Sequence, residues 1–222
     1  MKKVLSFLLL FYISTFSWAQ LNRGDIVPSL NIDFGYNSSN TDNVYVGSST
    51  NQKSSNFGIG LVPGLGYNIT HNIQAGVYIG INAINSSSSS TNVTFSSDTK
   101  EKQKGLLLIP YGRYYIESTE DLSFFFEGNF AYGIGKLNST SSSRFSGTTS
   151  STNLPEEKVH SYLFNIKPGA QLMLGDFALE INICLYSIGV VDYKTDTNSS
   201  NQFVSGFFNS STPFSLGGKY YF

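Results

Sequence analysis

Throughout this chain, tight turns and long polar segments alternate as the connections between apolar stretches, and that rhythm constrains the fold more than any single motif. Segments with an apolar side chain at every second position are joined by short links at residues 70–72, 118–121 and 175–176. Between those links lie long polar stretches at 37–55, 85–104, 136–160 and 189–206. A two-residue period is the mark of a strand with one apolar and one polar face. A soluble sandwich has no reason to gather its short connections at one end and its long ones at the other. A sheet closed into a tube across a bilayer does.

The pattern predicts eight strands, at 26–36, 56–69, 73–84, 106–116, 122–135, 162–174, 177–188 and 208–222. In the second, Phe57, Ile59, Leu61, Pro63, Leu65 and Tyr67 alternate with Gly58, Gly60, Gly64 and Gly66. In the fifth, Leu122, Phe124, Phe126, Phe130, Tyr132 and Ile134 share one face. Each segment has the roughly 10 residues that a tilted strand needs to cross a bilayer. The expected architecture is all-β, an eight-stranded antiparallel up-and-down transmembrane β-barrel. The Ser-, Asn- and Thr-rich connections bury too little apolar area to order themselves, so they are expected as mobile extracellular loops.

Composition fits this reading. Only 13% of residues are charged, 15% are aromatic, and 14 basic residues face 15 acidic ones, so there is no basic field for nucleic acid. Lys2, Lys3, an apolar run from Val4 to Phe16 and Ser17-Trp18-Ala19 read as a secretory signal cleaved after Ala19. The expected domains are a signal peptide at 1–19 and a barrel at 20–222. Gln20 stands where an acylated lipoprotein needs Cys, and the single cysteine, Cys184, lies far downstream. No lipid anchor and no internal disulfide are expected.

With apolar parity outward, the lumen receives Asp33, Arg113, Glu127, Lys167, Gln171, Glu180, Lys219 and Tyr78. Arg113 and Glu127 flank one short turn and fall opposite each other or one step diagonal. Gln171 faces Glu180 across the next turn. Charges in so narrow a tube should pair, because an isolated buried charge is costly. Arg113, Glu127, Lys167, Glu180 and Asp33 are therefore lumen ion-pair candidates, as structural filling or as a gate. An eight-stranded barrel is just wide enough for side chains to fill, which favours filling.

Pro63, Pro110 and Pro168 recur on the second, fourth and sixth strands and are expected at bulges that curl the sheet, chance being the alternative. Outward aromatics suggest two belts: Tyr67, Tyr114, Tyr220 and Phe222 at one end, and Tyr36, Phe57, Tyr132, Tyr162 and Phe208 at the other. A lipocalin-like soluble barrel is the structural rival, with the parities reversed. No nucleophile–base pair, metal-ligand spacing or phosphate loop stands out, so no enzyme and no cofactor are expected. His160 with Ser161 is the one weak catalytic candidate.

Pro110-Tyr111-Gly112-Arg113-Tyr114-Tyr115, Asp121-Leu122-Ser123-Phe124 and the closing Leu216-Gly217-Gly218-Lys219-Tyr220-Tyr221-Phe222 resemble the small OmpA/OmpX-like outer-membrane barrels of Gram-negative bacteria, often labelled porin-family proteins. The resemblance covers nearly the whole mature chain. It implies a C-terminal signal read by the barrel-assembly machinery, carried here by Phe214, Leu216, Tyr220 and Phe222, with Gly218 the weak position. It also implies residence in the cell outer membrane, with lipid and lipopolysaccharide as surroundings. Unlike full-length OmpA, the chain is expected to carry no peptidoglycan-binding domain after the last strand, so anchoring to the cell wall is not implied. The expected role is structural or adhesive through four outer loops whose ligand the sequence does not name. A narrow channel for ions or small solutes is the alternative.

Overall fold

The computed structural model describes residues 23–45, 48–92, 94–117, 119, 121–146, 148–195, 199–207 and 214–221. The predicted signal peptide, Phe208 and Phe222 lie outside the described residues. Among the described residues every regular element is a strand: β1 Ile26–Tyr45, β2 Ser48–Asn68, β3 Ile73–Thr91, β4 Phe95–Glu117, β5 Leu122–Phe145, β6 Thr148–Asn153, β7 Glu157–Leu174, β8 Phe177–Ile183, β9 Tyr186–Lys194, β10 Ser199–Phe207 and β11 Phe214–Tyr220.

All pairings are antiparallel, and they close. β1 through β5 pair in succession, β5 pairs with β7, β7 with β8, β8 with β11, and β11 with β1. β8 and β9 together make the seventh wall strand, and β10 and β11 belong to the eighth. The stagger follows from the register. Gly169 faces Asn182, then Ser215, Asp33, Gly60, Asn82, Gly105, Gly135 and finally Val159. One circuit thus returns to β7 ten residues nearer the long-hairpin end, from Gly169 to Val159. A stagger of this kind is what tilts the strands of a closed barrel.

Short turns gather at one end. Between β2 and β3 the Ile69 N–H donates to the Ile73 carbonyl at 2.8 Å, and the Thr70 hydroxyl accepts from the Ile73 N–H at 3.1 Å. Thr119 plays the same part for Leu122 before β5. Gly175 turns β7 into β8 with φ +70°, a conformation that L side chains rarely adopt.

The polar connections differ from the expected loops. Ser86–Ser90 pair with residues 52–56 of β2 and with residues 97–101 of β4, and Ser139–Ser143 pair with the same stretch of β4. The compositional argument for mobility assumes that a segment must order itself by burying apolar area. These segments instead prolong ladders already nucleated in the wall, and backbone N–H and C=O groups pair whatever the side chain. The strands therefore rise well beyond the apolar belt as ribbons.

A further expectation, that three prolines sit at bulges, is corrected in part. Pro63 and Pro110 make no bulge: Leu61 faces Ile81 and Gly64 faces Tyr78 in one register, as Leu108 faces Tyr132 and Tyr111 faces Asn129. Each proline omits a rung toward one neighbour while staying paired to the other, Leu30 or Val77. Only Pro168 adjoins a bulge. There the register slips by one between Gly169–Asn182 and Ile166–Tyr186, and Cys184-Leu185 interrupts the wall strand. The slip also resets the parity: Asn182 and Cys184 are buried before it, Ser187 after it.

Candidate functional site: the barrel lumen

Apolar side chains point away from the tube. Leu30, Ile32, Phe34, Ile79, Ile81, Leu106, Phe126 and Leu216 are each between 43% and 61% exposed, while alternating Asn31, Asp33, Arg113, Glu127 and Lys219 are buried. The reversed parity of a soluble lipocalin-like barrel is thereby ruled out. Tyr67, Tyr114 and Tyr220 are exposed near the short turns, and Tyr36, Phe57 and Tyr162 near the ribbons. Tyr132 packs against Tyr162, with ring centroids 5.2 Å apart. Phe214, Leu216 and Tyr220 share the outward face of β11.

Inside, the filling is layered. Val27, Tyr115, Phe125, Met173, Ala178 and Tyr221 form an apolar cluster toward the short turns. Val62, Tyr78, Ile109, Tyr111 and Ala131 form another toward the ribbons. Between them sits a charged layer, one inward position along each strand from the first cluster. Glycines make room for the rings. A Cβ on Gly64 would overlap the ring of Tyr78, and one on Gly169 the ring of Phe125.

Arg113 is the centre of the charged layer. Its Nη2 lies 2.6 Å from Glu127 Oε2 and its Nη1 2.6 Å from Glu180 Oε2. The same guanidinium donates to the hydroxyls of Tyr78 at 3.1 Å and Tyr115 at 3.3 Å, and stacks 3.9 Å from the centroid of Phe125. Lys219 Nζ lies 3.2 Å from Glu180 Oε2 and donates to Gln74 Oε1 and the Tyr115 hydroxyl, both at 2.9 Å. Asn129 donates to Glu127 Oε1 at 2.7 Å. Two cations and two carboxylates balance, and both arms of the guanidinium are used. Shared pairing of this kind is what makes buried charge tolerable in a low-dielectric interior. Within this charged layer Arg113 Nε is left without a hydrogen-bond partner.

Register explains part of this arrangement. Arg113 stands directly opposite Glu127, Glu127 opposite Lys167, and Gln171 opposite Glu180. Neither Lys167, which stands opposite Glu127, nor Asp33 makes an ion pair within 4.0 Å among the described residues. Gln74, Tyr111, Tyr115 and Asn129 were not singled out from the sequence, although their inward parity was readable, because nothing in their spacing marks them as partners of the charges. The Arg113–Glu180 contact was missed because that bond spans the lumen from β4 to β8, which no neighbouring register encodes.

His160 is turned outward and Ser161 inward on β7, as adjacent strand residues must be, so the two do not meet. Among the described residues no three His, Cys, Asp or Glu side chains are grouped to hold a metal ion.

A closed barrel with an apolar outer belt, aromatic rims and a polar, filled interior defines an outer-membrane β-barrel. No protein-family signature matches the sequence, and neither does any curated protein. Among solved structures, the chain is similar to the outer membrane protein OprG from Pseudomonas aeruginosa, at 13% identity and a TM-score of 0.38, over 93% of this chain and 99% of that one. It is also similar to the β domain of the Bordetella autotransporter BrkA, at 11% identity and a TM-score of 0.23, over 90% and 98%. A third likeness is to the translocator domain of the autotransporter NalP from Neisseria meningitidis, at 9% identity and a TM-score of 0.17, over 100% and 94%.

Proposed function

We propose that this protein is a non-enzymatic barrel of the OmpA/OmpX-like kind, exported to the outer membrane, where it acts as a structural or adhesive element through its four long hairpins. The observation that carries this reading is the Arg113–Glu127–Glu180–Lys219 layer, whose members are at most 2% exposed and lie between two apolar clusters. A tube filled in this way supports a wall and a crown rather than a conduit. The hairpins β1–β2 and β3–β4, the β5–β6–β7 segment and the β9–β10 hairpin all rise on the face opposite the short turns, far beyond what closure requires. During biogenesis the outward Phe214, Leu216 and Tyr220 are suited to recognition by the barrel-assembly machinery.

The test is conductance of the refolded protein across a planar bilayer, after a gel has shown the heat-modifiable migration of a folded barrel. Silence with folded protein is expected. Sustained channels of appreciable size would instead favour passive transport of ions or small solutes. Protease added to intact cells should cut within the hairpins and leave the belt strands whole.

A further inference from the structure

We infer that the outer wall carries a binding site for a phosphorylated lipid of the outer leaflet, such as lipopolysaccharide, with acyl chains in a groove of the wall and phosphate on a row of lysines. The inference rests on the reading of the chain as an outer-membrane barrel and deepens it.

The row follows from register. Lys104 of β4 faces Lys136 of β5, which faces Lys158 of β7, which faces Lys194 of β9. All four occupy the outward parity of their strands, in line with Leu106, Ile134, Tyr162 and Val190, and all four are exposed. Like charges directly opposite each other on neighbouring strands are destabilising, since their Cβ atoms lie only about 5 Å apart. Lys136 has an acidic partner, Glu156 at 2.7 Å. Lys104, Lys158 and Lys194 make no ion pair within 4.0 Å among the described residues. Asp192, which faces His160 one rung below, is the nearby carboxylate on the same face. The row therefore keeps a surplus of positive charge that a multivalent anion would relieve.

What makes the anion a lipid is the surface beneath the row. A groove of about 910 Å³ runs across β1 to β7 on the outer wall. Ile32, Leu61 and Ile81 line its lower part, and Lys104, Lys136 and Lys158 its upper edge. The backbone of Gly60, Asn82, Gly105 and Gly135, which follow one another along a single row of paired residues, lies between those two rims and forms its floor. Because the strands are tilted, a row of hydrogen-bonded partners climbs by about 3 Å per strand. The ten-residue stagger makes it climb from β1 toward β9. The groove is thus apolar where it lies deep in the belt and cationic where it emerges. That order matches an amphiphile with buried chains and a charged head. Lysine stems can lie along apolar surface while their ammonium groups reach the headgroup level, and basic residues at a membrane surface attract anionic lipid.

The experiment uses the full-length mature barrel in phosphatidylcholine nanodiscs, titrated with purified lipid A, with dephosphorylated lipid A and with inorganic phosphate, and read by native mass spectrometry. Lipid A should bind, dephosphorylated lipid A at least tenfold more weakly, and inorganic phosphate should not compete at equal concentration. Lys104→Gln/Lys158→Gln/Lys194→Gln should weaken lipid A binding by at least tenfold, given roughly fivefold for each lysine at an anionic surface. The matching arginine triple variant should restore it. Ala83→Trp, which narrows the groove without touching a charge, should weaken lipid A while leaving the salt dependence unchanged. Equal binding of the two lipids, equal binding by the glutamine variant, or full competition by inorganic phosphate would each overturn the site. A heat-modifiability gel on the same samples separates the two readings. A folded, inserted barrel that ignores lipid A refutes the site alone, whereas failure to insert refutes the membrane reading as well.

Discussion

The two ends of this barrel are built from one continuous ladder yet are fixed by different forces. Toward the short turns, every second side chain is locked into the lumen, and Arg113 alone bridges β4 to both β5 and β8. Toward the ribbons, both faces of a strand such as β6 are exposed and Ser and Thr dominate. There the backbone bonds are the main ordering element, helped by sparse hydroxyl contacts such as Ser39 to Ser54 at 2.9 Å. Side chains therefore specify the first region, while the second inherits its order from the first. That difference can be broken from either side.

The largest effect is expected at Arg113. Arg113→Ala leaves two buried carboxylates short of their shared partner, and breaking a buried pair costs about 3–5 kcal/mol. Urea unfolding of the refolded barrel should show the loss. Double-mutant cycles with Glu127→Ala and with Glu180→Ala should each lose less than the sum of the single changes. Strict additivity in both cycles would mean the charges do not interact.

A smaller effect is expected from packing. Gly64→Val drives a branched side chain into the space of the Tyr78 ring, and overfilling a packed interior costs about 1–3 kcal/mol. Tyr78 also donates to Glu127 Oε2 at 3.3 Å, so displacing its ring should disturb the charged layer too. Removing the ring with Gly64→Val/Tyr78→Ala should recover part of the loss. No recovery would show that the strain lies in the backbone of β2.

The smallest change in global stability is expected in the ribbons. Ser88→Pro deletes one ladder donor between Ser54 of β2 and Thr99 of β4. Hydrogen exchange should quicken around 86–91 and in the facing strands, with the unfolding midpoint of the belt changed by less than about 0.5 kcal/mol. Cooperative loss of the whole barrel would mean that the ribbons help hold the wall and that the two ends are not fixed by different forces.

The same contrast explains what the sequence could disclose. Strand count, parity and the Arg113–Glu127 opposition follow from a two-residue period and short turns, both local properties. The ribbons at 37–45, 48–55, 85–91 and 95–104 were hidden because Ser and Asn runs carry no period, and their order depends on neighbours distant in sequence. The bulge at Cys184-Leu185 was hidden for a related reason: the apolar pattern of 177–188 stays plausible in either phase, and only the partner strand β7 reveals the slip. Contacts across the lumen, Arg113 to Glu180 and Lys219 to Gln74, belong to three-dimensional closure and leave no trace in spacing.

The ten-residue stagger also gives the barrel the character of a combination lock. A strand that slid by one residue would turn its charges to lipid, so only slips by two preserve parity. Any such slip changes the circumference as well as the alignment, and Arg113 would then no longer stand opposite Glu127 while reaching Glu180. The charged layer is thus a checksum on assembly. It closes when every wall strand has seated at its own number, and a barrel of any other girth would carry unpaired charge as the sign of its error.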